Sequence, residues 1–292
     1  MADRKQQHTV GDIAPQKSLV DYCRLAFPLL GSKTAVKKAI ATGRLLVNGQ
    51  EARFHTQLQP GDLLELAGAG LPRVRSFDQK IPVIYEDDFL MVVRKPAGIA
   101  VNGNRIKTLE NALAGFIPPS DLPDALPRPI AAHRIDLPTK GLVLLARSKG
   151  ALMQLTEDFA QNTISKTYTA VVHGAPPDKG EVDQRIQGKE ALTRFRTLRT
   201  VPSRVYRHLS LVKLNPITGR THQLRIHMRQ AGHLIVGDQQ YAAGQKTILG
   251  KGLFLCATQL AFRHPSTQEP IVVSIDPPRR FAKTLDREEE RY

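Results

Sequence analysis

Six short segments at irregular spacing constrain the chain more than any other feature. FLMVV (89–93), LVLLA (142–146), YTAVV (168–172), LSLVKL (209–214), LFLCA (253–257) and IVVSI (271–275) are apolar or alternating runs bounded by Gly, Pro or charge, the pattern of β-strands. Long connections and no regular strand–helix alternation predict a mixed, largely antiparallel sheet rather than a parallel array. Segments 151–160 and 222–231 carry helical spacing, the second starting after Thr221 and stopping at Gly232. Leu224, Ile226 and Met228 also alternate at period two, so spacing alone leaves 222–228 open between helix and strand. The fold class is α+β, and 292 residues suffice for two domains at about 100 to 200 residues each.

A smaller unit precedes the sheet. Residues 1–16 are polar and unpatterned and read as a flexible arm. From Ser18, SLVDYCRLAF sets Leu19, Val20, Cys23, Leu25 and Phe27 largely on one helical face, and Pro28 ends it. Ser32 suits the N-cap of KTAVKKAIAT, whose Val36, Ala39 and Ile40 form a stripe and whose end is marked by Gly43. Asn48-Gly49 then sits between two strand-like runs as a hairpin turn, and LLEL follows Gly61-Asp62. This predicts a self-contained α/β module over 17–67, a Gly/Pro-rich linker over 68–80, the main domain over 81–283 and a charged tail over 284–292. The Pro-rich 118–129 stretch reads as a surface loop.

Charge narrows the partners. The 42 Lys plus Arg against 27 Asp plus Glu give a net +15 and a pI near 10.0, which favours polyanions, nucleic acid first. Two cysteines, Cys23 and Cys256, cannot build a disulfide framework or a four-ligand zinc site. With no apolar run near the ~18 residues that cross a bilayer and no signal-peptide core, a cytoplasmic protein without membrane attachment is expected.

Two stretches concentrate chemistry. His133-Arg134-Ile135-Asp136-Leu137-Pro138-Thr139-Lys140-Gly141 sets a His, an Arg and an Asp in a loop feeding a strand, where a rigid scaffold presents side chains to a cleft. Asn215-Pro216-Ile217-Thr218-Gly219-Arg220-Thr221-His222-Gln223-Leu224-Arg225 packs a turn against a helix start with two arginines and a histidine. Residues 185–233 hold eleven Lys/Arg against one acid, Glu190, a strip suited to phosphate. An Asp in such a field should be held ionised and so fit nucleophilic attack or cation stabilisation rather than acid catalysis. A structural Asp136–Arg220 or Asp136–Arg134 ion pair explains the same spacing. His133 and His222 lack matching Cys or carboxylate spacing and read as structural hydrogen-bonding groups, so no metal site is expected.

At these residues the chain resembles the RluA-type pseudouridine synthases. The resemblance takes in Lys95-Pro96-Ala97-Gly98, His133-Arg134-Ile135-Asp136 with Thr139 and Gly141, Lys166-Thr167-Tyr168 with Gly174, and Thr193. It continues through Thr218-Gly219-Arg220-Thr221-His222-Gln223-Leu224-Arg225, Gly237-Asp238 with Tyr241, and His264-Pro265. The N-terminal module resembles the S-four-type RNA-binding domain in its basic helix, GRLLVNG and PGDLLEL. The resemblance implies isomerisation of uridine to pseudouridine within RNA, with no cofactor and no metal. It implies that Asp136 attacks, that Tyr168 lies beneath the target base and that Arg220 pairs with the carboxylate. Arg134 is implied to enter the space left by the flipped nucleotide, as chemistry inside a stacked RNA requires. Lys33, Lys37, Lys38, Arg44 and Arg53 of the module, with Arg225 by phosphate contact or helix packing, are the expected RNA-binding residues.

The sequence departs from the family pattern at Leu137-Pro138, where polar residues are usual, and at Lys140, where a Ser is usual. These bear on which RNA shape fits. The partner is expected to be RNA, ribosomal RNA ahead of tRNA, and the protein a monomer. A catalytically silent RNA-binding or ribosome-assembly factor is the rival reading, opposed by the joint presence of Asp136, Tyr168 and Arg220. A glycosidase releasing uracil would call for a second carboxylate, and none suggests itself.

Overall fold

A computed structural model of the chain describes residues 6–11, 18–30, 32–67, 77–103, 105–242, Gly244, Thr247 and 250–292. In the N-terminal module, Ser18 and Ser32 each accept a backbone N–H and so start α1 (Leu19–Ala26) and α2 (Lys33–Ala41). Asn48 and Gly49, with φ of 51° and 80°, turn β2 (Leu45–Val47) into β3 (Gln50–Glu51), and β4 (Leu63–Leu66) pairs with β2. The helices bury Tyr22, Cys23, Phe27 and Val36 against Leu45 and Leu64.

The expected arm is partly a strand. β1 (Gln6–Thr9) pairs antiparallel with β4, which otherwise would expose a row of backbone donors and acceptors. Its polar composition hid it: Gln7 donates to Glu65 at 2.9 Å and His8 meets the Tyr22 hydroxyl at 3.1 Å, so no apolar alternation marks the strand. The 68–76 part of the expected linker lies outside the described residues.

The main domain is built on one ten-stranded sheet. In chain order its strands are β5 (Val83–Glu86), β6 (Leu90–Lys95), β7 (Ala125–Ala131), β8 (Lys140–Ser148), β9 (Ser165–His173), β10 (Lys179–Val182), β11 (Thr193–Ser203), β12 (Arg207–Pro216), β13 (Leu255–Arg263) and β14 (Pro270–Ser274). They lie in the order β10-β11-β12-β9-β13-β8-β6-β5, with β14 on β13 and β7 on β8. Every pair is antiparallel except β8 with β13, so the mixed, largely antiparallel α+β expectation holds. At that parallel contact the backbones nearly touch. A Cβ on Gly141, whose φ is +119°, would run into the Ala257 carbonyl.

Two boundaries are corrected. The 118–129 stretch is not all loop, because β7 pairs with β8, and Pro127 and Pro129 are tolerated where its register slips between Ala125 and Ile130. The tail after 283 continues α6 (Arg280–Glu290), anchored by the buried Phe281, Thr284 and Leu285. Burying a side chain such as Leu285 stabilises by about 1.5–3 kcal/mol, and the i, i+4 pair Phe281/Leu285 was masked by surrounding charge.

Three further helices shape the domain. α3 (Leu109–Leu113) packs against β7, α4 (Lys149–Ala160) against β8, and α5 (Gln223–Gln230) settles the ambiguous segment as a helix beside β11 and β12. Tyr168 of β9 joins two core clusters, one around Val93 and Val143, the other around Leu214 and Met228. That junction is where the cavity opens.

Candidate active site

A cavity of about 370 Å³ runs between the 133–139 loop, α4, β9 and the 216–224 turn. Asp136, Arg134, Tyr168, Arg220 and His222 line it together, although they are up to 88 positions apart in sequence. Thr156, Phe159 and Ala160 of α4 form one wall.

The loop bearing Asp136 is held by the buried Ile135, which packs in the core cluster with Val93 and Val143, and by backbone acceptors. Leu137 exposes 41% of its surface, yet its carbonyl accepts from Gly98 N–H at 2.9 Å and from Lys95 Nζ at 3.3 Å. The fully buried Lys95 also donates to the Pro96 and Ile99 carbonyls, each at 2.9 Å. Burial lowers the Lys95 ammonium to about 8 against the opposing pull of Asp136, so near neutral pH it stays charged. The Lys95-Pro96-Ala97-Gly98 turn thus fixes the Asp136 loop, with Lys95 holding it in position. Thr139 N–H closes the loop onto the Asp136 carbonyl at 3.0 Å.

The cation beside Asp136 is not the expected one. Arg225 Nη1 stands 3.6 Å from Asp136 Oδ2, and His222 Nε2 3.8 Å from Oδ1. Arg220 is exposed and donates through Nε to the Glu190 carbonyl at 2.8 Å, and neither it nor Arg134 pairs with Asp136. The expected Asp136–Arg220 pair is therefore replaced by Asp136–Arg225. Of the two uses expected for Arg225, packing and phosphate contact, the burial fits packing: the side chain is 5% exposed and forms a fork on Asp238, Nε to Oδ2 at 2.7 Å and Nη2 to Oδ1 at 2.8 Å. It also lies 4.9 Å over the Tyr241 ring.

Local backbone explains the exchange. Arg220 precedes α5, whereas Arg225 lies in its first turn, which is seated on the sheet. The turn is organised by Gln223, whose amide accepts from Thr218 and Arg220 N–H and donates to the Leu192 carbonyl and Thr193. His222 takes the left-handed conformation, φ 57°, and its Nδ1 meets the Tyr241 hydroxyl at 2.8 Å. Gln223 and Tyr241 were legible as motif members but carried no signal of these contacts.

Tyr168 lines the cavity with its phenol pushed above the ordinary range by burial and by the Asp136 charge, so it is neutral. Arg134 is exposed, its side chain free of protein partners among the described residues. In the N-terminal module Lys37, Lys38 and Arg53 are exposed, Lys33 pairs with Asp21 at 2.6 Å, and Arg44 Nε donates to the Ala67 carbonyl at 3.2 Å.

His133 is structural. Its ring stacks on Phe159 at 4.4 Å and Nε2 accepts from Leu144 N–H at 3.0 Å, which requires the neutral ring. Burial, and next the Lys166 charge, lower its pKa to about 3. The unfolded chain, with a His pKa near 6.5, takes up this proton first. Stability is therefore full above about pH 6.5 and falls toward pH 3, by up to about 1.4 kcal/mol per pH unit from this group. Urea midpoints at pH 7, 6 and 5 should fall less steeply in His133→Gln than in the wild type. Parallel slopes would remove His133 from the acid response and leave it to His8, His173 and His227, whose pKa values are also lowered by burial.

Comparison with known proteins bears on this geometry. A family model described as RNA pseudouridylate synthase matches residues 89–230, the span that carries Asp136, Tyr168, Arg220 and Arg225. The chain is 38% identical over 223 residues to the dual-specificity RNA pseudouridine synthase RluA of Pasteurella multocida (strain Pm70), covering 68% of this chain and 94% of that one. It is 30% identical over 275 residues to the ribosomal large subunit pseudouridine synthase C of Vibrio vulnificus (strain CMCP6), covering 83% and 84%. Among solved structures, human RNA pseudouridylate synthase domain containing 4 matches with a TM-score of 0.58 and 26% identity, covering 70% of this chain and 92% of that one.

Proposed function

The chain belongs to the RNA pseudouridylate synthase family, and from that premise we propose that its cavity isomerises uridine to pseudouridine within structured RNA, with Asp136 as the attacking carboxylate. The observation that carries the assignment of residues is the shared cavity: the Asp136 carboxylate and the Tyr168 ring line one space, with the Arg225 guanidinium fixed 3.6 Å behind the carboxylate. A cation so held keeps the carboxylate oriented and favours its anionic form, the form a nucleophile needs.

Asp136 attacks the flipped nucleotide, at its sugar or its base, and the glycosidic bond breaks. The freed uracil turns over Tyr168 and rejoins through ring carbon five as the bond to Asp136 breaks; the carbon-five proton leaves and ring nitrogen one takes up a proton, so the product is an isomer of the uridine. The neutral phenol suits Tyr168 to stacking beneath the base. Arg134, exposed at the cavity wall, fills the gap the nucleotide leaves in the stack. Arg220, on the outer lip, meets the RNA backbone rather than the carboxylate. The reaction carries no net oxidation or reduction and takes its nucleophile from Asp136, so it calls on no redox co-reactant.

The N-terminal module contributes affinity: Lys37, Lys38 and Arg53 are exposed cations suited to phosphates, with Lys33 and Arg44 secondary because each is partly engaged within the protein. It favours ribosomal RNA over tRNA as substrate in the cytoplasm, acted on by a monomer. Among the described residues no helix is long and apolar enough to cross a membrane. Incubation with the substrate RNA should leave its mass unchanged while pseudouridine appears at defined positions, and a pseudouridine map of cells with and without the gene identifies them. Loss of a uracil mass would instead establish a glycosidase.

A further inference from the structure

Successive residues of a strand point to opposite faces, so Arg94, next to Lys95, points away from the Asp136 loop. Arg94 is registered with Leu142 of β8, and Lys140, two residues earlier, shares that face. Together with Lys80 and Pro278 they line a second cleft of about 320 Å³, whose edge is completed by Lys95 and Pro96. Only the Pro96–Gly98 turn separates it from the loop whose Leu137 carbonyl that turn binds.

The cleft gathers positive charge, and no carboxylate lines it among the described residues. Lys80, Arg94 and Lys140 make no ion pair or side-chain hydrogen bond among the described residues. Arg280 lies near enough to lower the Lys140 pKa, which burial lowers first and Arg94 lowers further. Among the described residues the one acidic group that acts on Lys140 is the Cys256 thiol, which burial pushes up to about 11 and so keeps uncharged near neutral pH. Arg280 cannot swing away: it stacks over Phe254 at 4.7 Å and donates to the Lys251 and Leu253 carbonyls, while its buried Nε has no acceptor.

α6 begins two residues after Pro278 of the cleft. Its N-cap Arg279 supplies no side-chain hydrogen bond and its first turn holds no acid, although this end of a helix favours negative charge. Lys140 is also one of the two places where the catalytic loop departs from the family resemblance.

We propose that Lys80, Arg94 and Lys140 form a phosphate-binding site on the face of β6 and β8 opposite the Asp136 loop. A phosphate accepts from divergent cationic donors at once and relieves their mutual repulsion. It comes either from the backbone of the RNA substrate, an arm that rests on the function proposed above, or from free inorganic phosphate.

The test uses the full-length protein. Sodium phosphate, titrated at constant ionic strength against chloride, should raise the melting temperature of the wild type. In Lys140→Gln the phosphate affinity read from that rise should fall about tenfold or more, as loss of a charge-assisted contact requires, while Lys140→Arg retains it. Lys179→Gln, an equal charge change elsewhere, should leave it unaltered. If an RNA phosphate is the occupant, Lys140→Gln should also lower the slope of log affinity against log salt for the substrate RNA by about 0.7 to 0.9. A phosphate response without a slope change assigns the site to free phosphate. A folded Lys140→Gln protein with unchanged phosphate affinity and unchanged salt slope would overturn the proposal, and the pseudouridine yield of the wild type in the same reactions reports separately on the function.

Discussion

Asp136→Asn should yield a folded protein that binds RNA and forms no pseudouridine. The amide keeps the shape of the carboxylate but lacks the charge and nucleophilicity on which bond breakage depends. The fold survives because Arg225, the cation behind Asp136, retains both hydrogen bonds to Asp238 and is not left as a lone buried charge. Circular dichroism and RNA affinity should therefore match the wild type while single-turnover rates collapse. Residual turnover within about tenfold of wild type would sink the assignment, since that gap is only about 1.4 kcal/mol of barrier.

Arg225→Leu should damage both fold and activity. The Asp238 side chain is fully buried and its two oxygens accept from this guanidinium, so the substitution strands a carboxylate in the interior. Removing one partner of a buried pair costs about 3–5 kcal/mol, a large share of the roughly 5–15 kcal/mol that holds a domain together. Arg225→Lys restores charge but not the fork and should fall between the two. Urea denaturation decides the matter: a leucine variant within about 1 kcal/mol of wild type would mean that the Arg225–Asp238 pair does not hold the site. Arg220→Gln, by contrast, removes an exposed side chain bonded to one carbonyl and should leave stability nearly unchanged.

The contrast between Arg220 and Arg225 marks the limit of what could be read from sequence. The motif containing both was plain, and so were Asp136 and Tyr168, because short ordered motifs survive as strings. Which arginine meets the carboxylate depends on where α5 begins and on the left-handed turn at His222, neither of which alters the string. The module helices were legible because Ser caps and apolar stripes coincide there, and the Asn48-Gly49 hairpin because its residues tolerate positive φ. β1 and α6 were not: one satisfies its side chains with polar partners, and the other hides two apolar residues in a run of charge. Lys95 escaped notice as a positioning residue because a buried lysine bonded to three carbonyls looks, in sequence, like any lysine before a turn.

One helix ties the two units together. Met153 of α4 is buried in the core of the N-terminal module, while Thr156, Phe159 and Ala160 of the same helix form a wall of the cavity. At about 1.5 Å per residue, Met153 and Ala160 lie only about 10 Å apart along the axis. The module is thus splinted to the reaction chamber by a rod rather than hung from it by the intervening chain. A load applied to the module is delivered to that wall of the cavity. Grafting a module from a relative would accordingly require transplanting the outer face of α4 as well, since the seam between the units runs along that helix.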